Sequence, residues 1–281
     1  MSITLVEKYS PKVDEIFKAE SKTSLITNTD YDFTGAHSVQ IYKVGTASMN
    51  DYQRNKSAVS ASDTLTRYGA LLDLSATTEQ KILRKDRSFI YNLDKLDLDE
   101  TGDALEVQQS LARQIRQVVI PEVDTYVFAE MVSGAGTTAT AASIDENNVY
   151  DLITAGTEVL DDEEVPDTER VLVCTPAVYR SLKKYLGESG NNTITEEQRM
   201  HGIVGIIDGM EVVKVPSSRL PQNFGFMICH PSATTAPVKL EDYNTHADTP
   251  LASGVIVTGR VCYDAFVLDN KVKGIYCQPI A

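Results

Sequence analysis

The sequence contains no tryptophan and only four cysteines, none of which belongs to a C-x-x-C pair. Cys174, Cys229 and Cys262 lie in apolar, strand-like stretches, and Cys277 lies near the end of the chain. Such positions are typical of buried, reduced thiols in a protein made in a reducing cytosol. The four histidines are far apart and lack metal-ligand spacing. The sequence therefore predicts neither a metal nor a cofactor.

Long apolar runs are also missing. No stretch approaches the ~18 consecutive apolar residues of a membrane span. The start of the chain carries charge from Glu7 onward and lacks the apolar core of a signal peptide. We therefore expect no membrane contact.

Positive charge is scarce, because 26 basic residues face 40 acidic ones and leave a formal net charge of −14. Proteins that bind nucleic acid through its phosphates need clustered Lys and Arg. We therefore expect no tight or sequence-specific binding to nucleic acid. Such a charge keeps a protein soluble and opposes indiscriminate association, so any self-assembly must come from specific contacts.

Catalytic motifs are absent as well. Residues 134–139 match the letters of a dinucleotide-binding motif, but they follow a helix instead of a strand. Residues 97–102 imitate the start of a calcium loop, yet the closing position is Gln108 instead of Glu. Acidic residues 161–164 are typical of a solvated turn. With no nucleophile elbow and no P-loop, the sequence predicts no enzyme.

The most regular feature is one long helical pattern over residues 102–131. Its apolar residues recur every three or four positions, the spacing of a single helix face. Thirty residues of helix would make a rod of roughly 45 Å, and Pro121 is expected to interrupt it. These apolar positions are Ala104, Val107, Leu111, Ile115, Val119, Val123 and Val127.

Before this helix, residues 45–80 contain few large apolar side chains and separate a predicted strand at 39–44 from another at 89–93. Two strands alone are marginally stable in water. Loops longer than about 15 residues are usually functional or disordered. We therefore expect this two-stranded extension to be supported by a neighbouring copy of the chain.

The remaining pattern alternates helices and strands and predicts an α+β protein. A short helix is expected after Ser10, and a hairpin is expected around Asp208 and Gly209, since Asp-Gly is a strong hairpin signal. The last stretch, 255–277, is predicted to be two long strands that turn at 269–270. Other predicted elements are helices at 149–160 and 176–186 and strands at 170–174 and 224–229.

Several segments, taken in order, resemble the major capsid proteins of tailed bacteriophages, which have the Hong Kong 97-type fold. Each segment is short, but their order and spacing span nearly the whole chain. They are DYQR (51–54), KDR (85–87), PEVD (121–124), VPDTERVLVCTPAVY (165–179), DGMEVVKVPSSR (208–219) and FVLDNKVKGIY (266–276).

The resemblance implies a division of the chain. Residues 1–38 would be an N-terminal arm, and 39–95 an extended loop laid over an adjacent subunit. Residues 96–139 and 254–281 would form a peripheral domain with a spine helix, and 140–253 an axial domain.

The same resemblance implies a non-enzymatic virion protein that assembles into pentamers and hexamers of an icosahedral head around double-stranded DNA. The implied partners are further copies of the chain, a separate scaffolding protein, and portal and head accessory proteins, with assembly in the host cytoplasm. The alternatives are an encapsulin-type shell around a cargo enzyme and an unrelated α+β enzyme or binding domain. The residues expected at subunit interfaces are Tyr52, Arg54, Arg84, Asp86 and Arg87.

Overall fold

A computed structural model describes most of the chain. The described residues are 21–28, 38–52, 54, 65–70, 73–74, 76–95, 107–186, 203–247 and 253–281. The helix predicted after Ser10 and the acidic residues 97–102 lie outside them. The chain divides into two compact units: Ala36–Ile82, here called the hairpin unit, and Met1–Gly35 with Leu83–Ala281, here called the body.

The hairpin unit is built on one antiparallel pair of strands. Strand β1 (Ser38–Val44) pairs over its whole length with β4 (Ala76–Ile82). Two short strands, β2 (Leu65–Thr66) and β3 (Gly69–Ala70), form a second antiparallel pair. The strand predicted at 39–44 is confirmed, but its expected pairing with 89–93 is wrong.

The body contains four α-helices and eleven strands among its described residues. The helices are α1 (Val107–Gln114), α2 (Ile120–Ser133), α3 (Val149–Asp162) and α4 (Pro176–Leu186). The strands are β5 (Lys85–Asp94), β6 (Thr137–Thr138), β7 (Val171–Cys174), β8 (Ile203–Ile207), β9 (Met210–Lys214), β10 (Phe224–Cys229), β11 (Thr234–Thr235), β12 (Val238–Ala247), β13 (Gly254–Tyr263), β14 (Phe266–Val267) and β15 (Ile275–Pro279).

Helices α1 and α2 are joined by a π-helical segment, Ile115–Val119, into one continuous helix over 107–133, here called the spine helix. At 1.5 Å per residue it is about 40 Å long. The irregularity expected at Pro121 is this π segment, in which the Ile120 N–H donates to the Ile115 carbonyl. Proline lacks an N–H and crowds the preceding turn, and a wider π turn relieves that conflict. The predicted apolar face is confirmed by the burial of five residues, Val107 is half-buried, and Ala104 lies outside the described residues. The five are Leu111, Ile115, Val119, Val123 and Val127.

A three-stranded antiparallel sheet in the order β12-β13-β5 packs against the spine helix. Strand β5 pairs with β13 from Lys85↔Tyr263 to Asp94↔Gly254. Residues 85–94 were predicted to belong to the extended loop, and the structure places them in the body instead. The reason is that Phe89, Tyr91 and Leu93 alternate along β5 and pack against the apolar core around the buried face of the spine helix, here called the spine-helix core.

A six-stranded sheet in the order β6-β15-β10-β7-β9-β8 forms the second layer. Every residue of β7 and β10 is buried, because both faces of the sheet are covered. On one face Val173 and Met227 join the spine-helix core, and on the other Leu172 and Phe226 pack with α3 and α4. Such continuous burial explains why these strands read as apolar runs.

The C-terminal segment differs from its prediction. Strand β13 ends at Tyr263, a 3-10 helix covers Asp269–Gly274, and β15 joins the six-stranded sheet beside β10. The expected hairpin between two long strands is therefore wrong. The two sheets also cross the predicted boundary at 253–254, since β12 pairs with β13 and β15 pairs with β10.

The hairpin predicted around Asp208 and Gly209 is confirmed as β8–β9. Both turn residues have positive φ, at 50° and 76°, as a tight hairpin of this kind requires. The prediction of buried, reduced cysteines is confirmed for Cys174, Cys229 and Cys277, whereas Cys262 is half-exposed.

Gly259 allows two aromatic rings to meet over the middle strand of the three-stranded sheet. It pairs with Phe89 on one side and Tyr243 on the other, and these two rings lie 6.0 Å apart. A Cβ at Gly259 would overlap the Phe89 ring and lie 2.9 Å from Tyr243 Cδ1.

We therefore expect Gly259→Ala to lower the free energy of unfolding by about 1–3 kcal/mol, the usual cost of overpacking a core. Urea unfolding of the full chain measures this. Ser88→Ala, an outward position beside Phe89, is the matched control and should change stability by less than about 0.5 kcal/mol. Equal stability of Gly259→Ala and wild type would contradict the close packing.

Candidate subunit-interface residues and their anchoring network

The hairpin unit contains two of the predicted interface residues. The Tyr52 side chain is half-exposed, and its ring lies edge-on to that of Tyr68 at 5.0 Å. Arg54 is exposed in a turn. Both residues therefore lie on the surface of this unit.

Large exposed apolar side chains are concentrated in the hairpin unit. On the β1–β4 ladder, Tyr42 (73% exposed), Val44 (63%) and Ile82 (41%) share one face, since strand residues alternate between faces. We call these three residues the apolar hairpin face. On the opposite face Glu79 forms ion pairs with Lys43, at 2.9 Å, and with Lys81. Other exposed apolar residues of this unit are Met49, Tyr52, Tyr68 and Leu74.

Arg84 lies in the body, two residues after the end of β4, and is bound to the buried carboxylate of Asp264. Its backbone N–H donates to Asp264 Oδ2 at 2.7 Å, its Nε donates to the same atom at 3.2 Å, and its Nη2 donates to Oδ1 at 3.3 Å. The guanidinium also pairs with Glu130 of the spine helix at 3.1 Å. The hydrogen bond to Asp264 is the main reason that the pKa of Arg84 is raised.

Asp264 is the centre of this network, which we call the Asp264 anchor. Its side chain is fully buried, and it also accepts hydrogen bonds from the Tyr126 hydroxyl at 2.6 Å and from the Ala265 N–H at 2.8 Å. An ionised carboxylate at such a depth needs this many donors to offset its lost hydration. The anchor therefore fixes the chain entering β5 to the spine helix.

Asp86 and Arg87, by contrast, make exposed ion pairs. Arg260 of β13 donates to Asp86 through Nε at 2.9 Å and Nη2 at 2.5 Å, and this hydrogen bonding lowers the pKa of Asp86. Arg87 Nε donates to Glu122 of the spine helix at 2.6 Å. Exposed pairs of this kind contribute little to stability.

The structure thus brings Arg84, Asp86 and Arg87 together at the start of β5, whereas Tyr52 and Arg54 lie in the other unit. Sequence reasoning missed the partners of these residues, among them Asp264. A usable signal existed, because Asp264 is a single acidic residue within the otherwise apolar run 261–268. A charge in such a run indicates a buried, paired group.

Two of the segments that carried the family resemblance meet in space. Asp124 of PEVD is fully buried and pairs with Arg219 of PSSR at 2.9 Å. Arg170, which is also buried, donates to the Val165 and Pro166 carbonyls and so holds the turn before β7. The Asp124–Arg219 pair therefore joins two distant segments of the body, whereas Arg170 stabilises a local turn.

Among the described residues, no helix is long and apolar enough to cross a membrane. Within the same ranges, no group of three or more His, Cys, Asp or Glu side chains is placed to hold a metal ion. The main features of the described residues are the exposed apolar hairpin face and the buried ion pairs of Asp264 and Asp124.

Comparison with solved structures shows the fold. A chain from the mature capsid of bacteriophage PhiM1 superposes with a TM-score of 0.69 at 14% identity, over 94% of this chain and 86% of that one. A chain from Mycobacterium phage Che8 gives 0.68 at 16% identity, over 99% and 93%. A chain of a virus-like particle from Pyrococcus furiosus gives 0.57 at 13% identity, over 95% of each chain.

No protein-family model matches the sequence, and no curated protein matches it. The structural likeness covers nearly the whole chain, so the protein has the α+β fold of tailed-phage capsid proteins. The fold class predicted from the sequence is confirmed.

The Asp264 anchor predicts a large difference between two aspartates that each pair with an arginine. Asp264→Ala removes a buried acceptor and leaves the Arg84 and Tyr126 donors without a partner. We therefore expect the free energy of unfolding to fall by about 3–5 kcal/mol. Asp86→Ala, the matched control, removes an exposed partner and should leave the urea midpoint nearly unchanged. Similar urea midpoints for the two variants would contradict the assigned role of Asp264.

Tyr126 of the spine helix and Tyr263 of β13, whose rings lie edge-on at 5.7 Å, predict a loss of stability at alkaline pH. Burial raises the pKa of Tyr263 to about 12 and also raises that of Tyr126. An unfolded tyrosine ionises near pH 10, so the unfolded chain loses its proton first. The free energy of unfolding should therefore be unaffected below about pH 10 and fall between about pH 10 and 12. Urea unfolding measured across this range tests this, and an unaltered slope in Tyr263→Phe would contradict it.

Proposed function

We propose that the protein is a structural shell subunit, the major capsid protein of a tailed phage. Copies of the chain form pentamers and hexamers of an icosahedral head around double-stranded DNA. The observation that carries this proposal is the hairpin unit, whose apolar face is exposed in a chain with a capsid-type fold.

The physical argument starts from the instability of a two-stranded hairpin on its own. Tyr42 and Val44 are more than half exposed on one face of such a hairpin. Contiguous exposed apolar residues mark interaction surfaces. A second copy of the chain is the partner that a closed shell supplies at every position, so covering this face links the ordering of the unit to assembly.

Two of the predicted interface residues fit this proposal through the weakness of their present contacts. Asp86 and Arg87 lose little when their exposed ion pairs exchange partners with another copy. The Arg84 side chain is 55% exposed, and its outer part can contact a neighbouring copy. Tyr52 and Arg54 contribute from the hairpin unit.

Charge and layering suit an enclosing role. A net charge of −14 makes tight DNA binding unfavourable and makes subunit repulsion sensitive to salt, so ionic strength should affect assembly.

We assign the spine helix and the three-stranded sheet to a peripheral domain and the six-stranded sheet with α3 and α4 to an axial domain. A scaffolding protein, a portal and head accessory proteins complete the proposed assembly in the host cytoplasm.

A second candidate is an encapsulin-type shell that encloses a cargo enzyme. The likeness to the Pyrococcus furiosus virus-like particle favours it. The contents of purified particles separate the two functions, since a phage head holds DNA and a nanocompartment holds a protein cargo.

The proposal predicts that Tyr42→Ser/Val44→Thr abolishes assembly while the subunit stays folded, because the change removes apolar surface and no intrachain core contact. Gln40→Ser, on the same face of β1, is the matched control and should assemble like wild type. Electron microscopy and sedimentation over a range of protein and salt concentrations provide the measurement. Circular dichroism verifies that each variant is folded.

Wild-type protein should form rings, shells or tubes, alone or with its scaffold. A wild type that remains monomeric under all these conditions would overturn the shell function. Particles that form equally well with the double variant would leave the shell function standing and overturn the role of the apolar hairpin face.

A further inference from the structure

Residues 21–28, here called the strap, attach to the rest of the body at three separate places. At the first, the buried carboxylate of Asp124 accepts hydrogen bonds from Ser21 Oγ at 2.9 Å, from the Lys22 N–H at 3.2 Å and from Thr23 Oγ1 at 3.3 Å. These donors come from three consecutive residues, and their acceptor lies in the second turn of α2, about a hundred residues later in the chain.

The second and third attachments lie further along the strap. Ile26 is completely buried among residues of the spine-helix core. Asn28 forms a parallel bridge with Thr235, donates its N–H to the Thr234 carbonyl at 2.9 Å, and accepts from Thr235 Oγ1 at 2.7 Å. The strap therefore crosses from the spine helix to β11.

The rest of the body does not need the strap for its own backbone pairing. Strand β11 pairs with β14, and the spine helix keeps its internal hydrogen bonds. Asp124 also keeps Arg219, whose Nη1 donates to it at 2.9 Å, so departure of the strap would not leave a buried charge without a counter-ion. A segment with one deeply buried apolar side chain and few backbone bonds is typical of a unit that opens locally.

We propose that the strap is a releasable tether, and that Asp124 is the lock that holds it. In the locked state, the strap is held against the spine helix and β11. In the released state, residues 21–28 leave both elements as one unit, while the two sheets and the spine helix remain folded. This proposal does not depend on the shell function, since it concerns a single chain.

Hydrogen exchange of the full chain, read by mass spectrometry, tests the lock. Asp124→Asn keeps the shape of the side chain but removes the charge, and hydrogen bonds to a neutral amide oxygen are weaker than those that the carboxylate accepts from Lys22 and Arg219. We expect exchange at the amides of residues 22–28 to become at least tenfold faster than in wild type, while exchange in β10 stays the same. Glu122→Gln removes the same charge two residues earlier, where the side chain meets Arg87, and should change neither region.

A second variant changes the strap alone. Ser21→Ala/Thr23→Val removes two donors and leaves the body intact, so it should accelerate exchange in the strap selectively, as Asp124→Asn does. Unchanged strap exchange in both variants would overturn the proposal. So would equal acceleration in the strap and in β10, because the strap would then unfold only together with the body.

Discussion

The body depends on one set of polar contacts made by the second half of the spine helix. Within seven residues of α2, Asp124 binds the strap and Arg219, Tyr126 binds Asp264, and Glu130 binds Arg84. The partners lie up to 138 residues along the chain from the helix residues that bind them. The apolar face of the helix forms the core, but apolar packing is non-directional. The polar contacts determine which segment lies at each position along the helix.

Two buried carboxylates carry most of this specificity. Asp124 and Asp264 are each paired with one arginine and surrounded by neutral donors. Replacing a buried ion pair with apolar residues often costs nothing, whereas removing one partner costs several kcal/mol. Such pairs therefore add little net stability but penalise any arrangement that leaves them unmatched. In this body they hold two segments against the spine helix, namely the strap and the start of β5.

The sequence predicted the elements whose signals are local. The spine helix, the β8–β9 hairpin and the buried strands β7 and β10 follow from periodicity, turn chemistry and continuous apolar runs. The partners of β1, β5 and β15 were mispredicted, because alternation along a strand identifies a face without identifying the neighbouring strand. The contacts of Arg84 were missed for the same reason, since Asp264 lies 180 residues away.

The division between the two units now has a physical explanation. Strand β5 carries Phe89, Tyr91 and Leu93 on one face, and this face packs against the spine-helix core. Side chains of strand β1 also alternate between two faces. On one face Glu79 forms ion pairs with Lys43 and Lys81, whereas the apolar hairpin face remains exposed. Because the acidic surface opposes indiscriminate association, only a partner of matching shape covers such a face. In a shell built from one chain, every subunit both supplies and receives that partner. In the proposed shell, assembly therefore completes the part of the fold that the single chain leaves exposed.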